Sequence, residues 1–437
     1  MNDKKLLAIN LNEFNLEFLK YGSKKYNLKN INKFLKLSNI ETFSVDKTQD
    51  KNLDPWVQSI SINSGQRSSK HKIFNLGEKI PYNINQIWDH LSSKNLHCAI
   101  WGPMNTNFKN NKLIKVFMPD PWNMQNFVKP KELKDFYSIA REYAQNYTQV
   151  SKKIKIKKLY KSFFYLLKNG IIFQILKNFF FLINIYFKKG LTNYFLFFLY
   201  DIISLLIFMK LVKSSQINFS LIFLNSLAHF QHNNWDDKEK ERDYFLFTDL
   251  IFKIIFQLSE NYNSLMIYNG FSQKKIKKEF MIRPKDPKKF LKSFNIKFNK
   301  FHSNMTNGVL LSYKSKNSLK SEFKKIRSIN ILGFQVYETK IINSLQIFCR
   351  IQIRSKKKFD QYLSANSLNK YLFYENKKKL LTKNINSNIQ DFVKNISFIK
   401  TTSKHTPNGH LFYKNLKLKK NKIENVKIFH LFKNYFK

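Results

Sequence analysis

The residue types able to carry chemistry fall into three short stretches. The first is Asn225-Ser-Leu-Ala-His229-Phe-Gln-His232-Asn-Asn-Trp235, directly after an apolar run. Neutral imidazoles suit zinc, manganese or iron, so His229 and His232, with Asn225 just before them, are candidate ligands for a divalent metal. A structural pair of hydrogen-bonded histidines is the other reading. The second stretch is Lys404-His405-Thr-Pro-Asn-Gly409-His410, which places His405 in a turn marked by Pro407 and Gly409. On its own such a loop histidine is an ordinary surface residue. The third is Asn12-Glu13, where Glu13 is either a metal ligand or an acid at a helix N-terminus. Cys98 and Cys349 each sit in an apolar run and read as buried free thiols. Their spacing yields neither a disulfide framework nor a thiolate zinc site.

Elements able to position these residues are legible around them. Residues 5–11 read as a buried strand and 13–21 as the helix after it, followed by a helix at 31–37 and a short strand at 41–45. Asp54-Pro55 is a good helix start, with a capping acid and a proline at the first helical position, and the helix stops near Gly65. A helix at 83–91, a strand at 97–101, a strand at 217–224, a charged helix at 237–260 and a strand at 265–268 follow the same alternation. Strand–helix–strand order implies an α/β fold: a mostly parallel central sheet with helices on both faces. In such sheets function gathers at the carboxyl ends of the strands. The polar clusters Asn12-Glu13, Asn225 to His232 and Asn269 to Gln273 fall at those ends. We expect a single domain over 1–437, with a helical insertion at 131–213 and a mixed α/β insertion, or a return to the sheet, at 275–400. No internal repeat is visible.

The chain has 437 residues, 43% hydrophobic and 16% aromatic, with 44 Phe and 21 Tyr. This is a globular composition. The formal net charge is +48. The lysines are scattered in short clusters rather than gathered beside a nucleic-acid-binding motif, so nucleic acid is not the expected partner. A general, salt-sensitive attraction to anionic substrates or membrane surfaces is. The apolar stretch 163–211 is interrupted by Lys177, Asn178, Asp201 and Ser204 and reads as buried or amphipathic helices, with peripheral membrane contact as the alternative. The opening Met-Asn-Asp-Lys-Lys and its short apolar run do not form a signal-peptide core, and a cytoplasmic start is expected.

Taken in order, these stretches resemble the alkaline-phosphatase superfamily, in particular its type I phosphodiesterase/nucleotide-pyrophosphatase members. Leu6-Leu-Ala-Ile-Asn-Leu-Asn12-Glu13 resembles the family's opening strand. Asn30-Ile-Asn-Lys-Phe-Leu looks like the helix that follows. Pro55-Trp-Val-Gln-Ser-Ile-Ser-Ile-Asn-Ser64-Gly65, then His71-Lys-Ile73, resembles the nucleophile helix. Asn225 with His229 resembles the Asp-x-x-x-His metal pair, and His405-Thr-Pro-Asn-Gly409 the late His-x-x-x-Gly element.

The resemblance implies metal-assisted hydrolysis of an anionic phospho- or sulfoester, with a phosphorylated or sulfated substrate as partner. It also implies a metal set drawn from Asn12, Glu13, Asn225, His229, His232 and His405. The departures reduce that set. Asn12 and Asn225 stand where the family carries Asp, and neither Asp nor His appears near Asn269 to Gln273. Exchanging Asp for Asn removes a full negative charge from each position. One divalent metal, zinc or manganese, or none, is therefore expected in place of two. Pro55 stands near the nucleophile position and cannot attack, which leaves Ser59 or Ser61, either in a shifted register, as the candidate hydroxyl, with Ser59 preferred. Trp56 and Gln58 would line the pocket, Gln58 donating to a phosphoryl or sulfuryl oxygen and the helix N-terminus facing an anion. The alternative is a catalytically degenerate relative kept as a binding or assembly protein, linked to cell-surface glycan or lipid metabolism.

Overall fold

The structure, a computed structural model, describes residues 3–46, 53–145, 156–178, 183, 187, 190, 192–304, 308–331, 334–351 and 395–437. It divides into two compact units. The first comprises Met1–Arg141, Ile154–Glu279 and Thr401–Lys437, and the second Glu142–Lys153 and Phe280–Lys400.

An eight-stranded sheet organises the first unit. Its strands are β1 (Leu6–Leu11), β2 (Ser38–Phe43), β3 (Cys98–Trp101), β4 (Ile114–Met118), β5 (Phe219–Leu224), β6 (Ser264–Tyr268), β15 (Asn408–Lys414) and β16 (Lys422–Glu424). β7 (Ser272–Pro284) and β14 (Ile396–Thr406) form a separate two-stranded pair. The spatial order is β16-β2-β15-β6-β1-β5-β3-β4. β1 runs parallel to β5 and β6, and β3 parallel to β4 and β5; β15 alone in this sheet runs against its neighbours β2 and β6. The mostly parallel sheet expected from the sequence is thus present.

The period-2 alternation of a strand sends successive side chains to opposite faces. In β1, Leu7, Ile9 and Leu11 enter one apolar cluster, and Leu6 and Ala8 the other. Helices Leu16–Tyr26, Lys29–Leu35, Asn193–Lys213 and Lys238–Ser259 supply the first cluster. Helices Ile87–Ser92 and Ile428–Tyr435 cover the second. Among the described residues, Asn193–Lys213 is the one helix long and apolar enough to cross a membrane. Many of its side chains, Phe198 and Leu205 among them, are fully buried in the first cluster.

Two glycines are fixed by geometry. Gly65 ends the helix Pro55–Ser64 at φ 68, a left-handed conformation that costs other residues more. Gly409, in β15, has no room for a side chain: a Cβ there would lie 2.6 Å from Thr42 Oγ1 and 2.7 Å from the Asn269 carbonyl oxygen.

The second unit contains a four-stranded antiparallel sheet, ordered β12 (Tyr337–Asn343), β13 (Gln346–Ile351), β9 (Gly308–Ser312) and β8 (Lys300–Asn304). A two-stranded pair, β10 (Asn330–Ile331) and β11 (Phe334–Gln335), lies beside it in sequence. Val309, Leu311, Ile347 and Cys349 pack with Leu319 and Ile326 of the helix Lys316–Ser328. Cys98 and Cys349 are both buried free thiols.

Phe34 joins helix to sheet in the first unit. Its ring is fully buried, 4.3 Å from that of Phe252 and 4.2 Å from that of Phe412 on β15. Replacing it with alanine removes both contacts and leaves a cavity. Phe34→Ala is expected to lower stability by about 3–5 kcal/mol, read as a shift in the urea unfolding midpoint at unchanged slope.

Candidate metal centre

Three adjacent parallel strands, β6, β1 and β5, end at the same edge of the sheet, with Leu11 in register with Leu224 and Asn10 with Tyr268. The residues just beyond those ends build the site. Glu13 follows β1 with φ 54. A left-handed conformation costs a non-glycine residue roughly 1–2 kcal/mol, so the surroundings must hold it. Gln231 does so from the helix Ser226–Asn234: its Nε2 donates to the Glu13 carbonyl at 2.9 Å and its Oε1 accepts the Asn15 amide at 3.0 Å. Asn15 in turn caps the helix Leu16–Tyr26 and donates to the Gln273 carbonyl at 2.8 Å.

His232 sits on the helix Ser226–Asn234, which starts directly after β5. Asp201 holds that start, accepting the Asn225 and Ser226 amides at 2.9 and 2.7 Å. Burial pushes the Asp201 carboxyl up to about 6, against the pull of those donors. His405 arrives on β14. It lies within that strand rather than in the turn the sequence suggests; Pro407 follows and β15 begins at Asn408. Thr402 ties β14 down by donating to the Gln231 carbonyl at 2.8 Å and accepting the Trp235 amide at 3.1 Å.

The outcome is a tight triangle. Glu13 Oε2 lies 3.0 Å from His232 Nε2 and 3.0 Å from His405 Nε2, and the two Nε2 atoms are 3.3 Å apart. Glu13 is 1% exposed, while the two histidines are partly open to solvent. The hydrogen-bond network sets the tautomers. Ser403 Oγ spends its proton on Gln273 Oε1 at 2.7 Å, so at 3.1 Å it must accept from His232 Nδ1. His405 Nδ1 faces the Leu53 carbonyl, which can only accept. Both imidazoles in neutral form therefore carry their proton on Nδ1 and aim an Nε2 lone pair at the Glu13 carboxylate.

Two neutral imidazole nitrogens and one carboxylate oxygen are the donor set of many zinc sites. Tetrahedral ligands at usual zinc distances lie about 3.3 Å apart. Glu13, His232 and His405 thus fit a divalent cation, and they form such a group among the described residues. Asn12 Nδ2 donates to Glu13 Oε1 at 2.9 Å and to Asn225 Oδ1 at 2.7 Å, and Gln273 Nε2 donates to Glu13 Oε2. Asn12 and Asn225 therefore brace the carboxylate with neutral amides.

The remaining sequence candidates have other partners. His229 stacks on Phe197 with ring centroids 3.7 Å apart, outside the three-residue group. Burial holds its imidazole down at about 4, with the neighbouring His232 adding to the effect, so it is neutral at ordinary pH. Trp56 Nε1 donates to the Phe74 carbonyl. Gln58 is buried: its Nε2 donates to the Asp46 carbonyl, and its Oε1 accepts from Ser44 and Asn425. Ser59 Oγ donates to the Met104 carbonyl at 2.7 Å. Ser61 Oγ donates to Asp46 Oδ2 at 2.5 Å. His71 Nδ1 accepts the Ile73 amide, so its Nε2 proton points at Ser61 rather than drawing a proton from it. The helix start is also poorer in donors than expected. Pro55 has no N–H, and the Val57 and Gln58 amides bond to the Asp54 carbonyl. Ser403, which fixes the His232 tautomer, was not singled out from sequence, and Gln273, which holds the carboxylate, was marked there only as the end of a polar cluster. The i, i+2 spacing of Ser403 and His405 on one face of a strand was the signal for Ser403.

No family model and no curated protein sequence matches the chain. Solved structures do. Phosphonoacetate hydrolase from Sinorhizobium meliloti 1021 is 7% identical, with 100% of this chain and 96% of that chain covered and a TM-score of 0.42. Murine ectonucleotide pyrophosphatase/phosphodiesterase 5 is 8% identical, with coverages of 99% and 95% and a TM-score of 0.44. An alkaline phosphatase from the Antarctic bacterium TAB5 is 9% identical, with coverages of 99% and 98% and a TM-score of 0.40. All three are alkaline-phosphatase superfamily proteins, the group the sequence resembles.

In metal-free protein a proton takes up the crowding. Burial alone would raise the Glu13 carboxyl and lower the His405 imidazole. The charge of each on the other outweighs this, with His232 also bonding Glu13, so Glu13 falls well below its ordinary value and His405 rises to about 9. The raised histidine contributes stability that is complete below its unfolded value of about 6.5 and lost as pH rises through about 9. The lowered carboxylate contributes above its own unfolded value and loses this as pH falls. Urea midpoints of EDTA-treated protein should therefore drop between about pH 6 and about pH 9.5, and His405→Ala should flatten that decline.

Proposed function

We propose that the centre holds one divalent cation, zinc or manganese, and that the chain is a metal-assisted hydrolase acting on an anionic phospho- or sulfoester. The observation that supports this is the convergence of Glu13 Oε2, His232 Nε2 and His405 Nε2 with both imidazole protons tied back on Nδ1. When bound, such a cation supplies Lewis acidity towards an ester oxygen and towards water. The protein's part is to hold the donors and leave one side open. Glu13 brings a single negative charge, and its neighbours Asn12 and Asn225 bring none, so the loaded centre keeps positive charge and favours an anionic group. The net charge of +48 draws anions from further away.

Attack falls to water. Pro55 has no nucleophile, and the Ser59 and Ser61 hydroxyls are buried and already donated. The same feature favours the second reading, a catalytically degenerate binding or assembly protein that keeps the centre for structure.

Elemental analysis of protein purified without a histidine tag tests the first reading. About one zinc or manganese per chain is expected. It should be lost from Glu13→Gln, His232→Ala and His405→Ala and retained by His229→Ala. Hydrolysis of bis(p-nitrophenyl) phosphate and p-nitrophenyl sulfate should follow the metal. Metal without hydrolysis of any ester would favour the binding protein, and no metal after supplementation would reject the centre.

Gln273→Leu removes the donor to Glu13 and the acceptor of Ser403 while leaving every ligand in place. A fall in metal affinity of roughly 10–100-fold is expected, measured by competition with a chromogenic chelator.

A further inference from the structure

The helices Ile156–Lys168 and Ile171–Asn178 turn large apolar side chains towards solvent. Ile156 is 83% exposed, Tyr160 68% and Phe173 62%, and Phe163, Phe164 and Leu167 are also exposed. Scattered exposed apolar residues need no explanation, but a contiguous face does. At about 100° per residue, the exposed apolar residues of the first helix cover an arc of roughly 140°. Lys157, Lys168 and Lys161 follow along one edge of that arc, and Ser162 and Leu166 turn inward on the other. Lys161 reaches Asp135 at 3.7 Å. A helix on a water-facing surface shows its polar side outward; here aromatic and aliphatic residues take that side, bordered by lysine.

We propose that this face docks in plane on an anionic phospholipid bilayer. Phenylalanine, tyrosine and leucine side chains enter the headgroup boundary, and the flanking lysines extend their ammonium groups to lipid phosphates. Charge complementarity selects this occupant over a second copy of the chain. Neither helix carries an acidic residue, so two copies meeting on this face would bring rows of lysine together with no acid on these helices to neutralise them. An anionic lipid surface supplies the missing charge. The proposal is independent of the metal centre.

Flotation of the full chain with phosphatidylcholine vesicles, with and without about 30 mol% phosphatidylglycerol, tests it. The wild type should float with the anionic vesicles and remain bound in about 0.5 M NaCl, where surface charge attraction is screened. Phe163→Glu/Phe164→Glu should weaken binding at least about tenfold with an unchanged urea midpoint, both side chains being exposed. Phe164→Cys carrying an environment-sensitive dye should shift to the blue on binding, the native thiols Cys98 and Cys349 being buried. Lys157→Glu/Lys168→Glu should weaken binding to the anionic vesicles. Binding that survives the phenylalanine exchange and disappears with salt would overturn the proposal in favour of simple adsorption by net charge. Absence of vesicle binding, with a concentration-dependent dimer that the same exchange abolishes, would overturn it in favour of a self-association face.

Discussion

Glu13 Oε2, His232 Nε2 and His405 Nε2 all bear lone pairs, and atoms of that kind placed 3.0 to 3.3 Å apart repel unless positive charge lies among them. A proton or a cation must answer that requirement. Much of the local architecture serves to keep the three atoms where they are. Gln231 holds the backbone of Glu13 in its left-handed conformation, Gln273 and Asn12 hold the carboxylate, Ser403 and the Leu53 carbonyl take the far sides of the rings, and Thr402 holds the strand carrying His405. These buried polar side chains bond to one another and to the backbone, as the low polarity of an interior demands.

The charge balance of the centre follows from what the chain lacks. A pair of divalent cations close together needs several carboxylates around it. Here one carboxylate faces two imidazoles, and the asparagines brace rather than compensate. The donor set suits one cation. The same economy appears at the helix Pro55–Ser64, whose serines bond inward and whose proline start removes an amide donor.

Much of the sheet was legible in the sequence because its strands are buried on both faces and read as solid apolar runs between polar clusters. The strands at 5–11, 217–224 and 265–268 are central and parallel, and their polar ends fall at one edge of the sheet. β4 was not read as a strand, since Ile114–Met118 is short and lies among turn residues. His405 was assigned to a turn by Pro407 and Gly409; the part of β14 around it is polar, and the pairing of β14 with β7 is non-local. Of the histidines after β5, position on the helix could not decide which ring turns towards Glu13. That depends on Phe197, which stacks on His229 from the helix before β5. Ser59 and Gln58 were chosen by residue type, and their burial with intramolecular partners is a property of packing that spacing does not reveal.

The three ligands are far apart along the chain: 219 residues separate Glu13 from His232, and a further 173 separate His232 from His405. β7 leaves the first unit and β14 returns to it after the long segment Phe280–Lys400 of the second, so the last ligand is translated long after the first two. A nascent chain has no complete centre until that return has been made. Coordination, once possible, would cross-link the beginning, middle and end of the first unit at one point, pinning loops whose closure entropy grows only slowly with length. Ion capture would then act as a late check on assembly, rewarding chains that have brought β14 home and leaving truncated ones open.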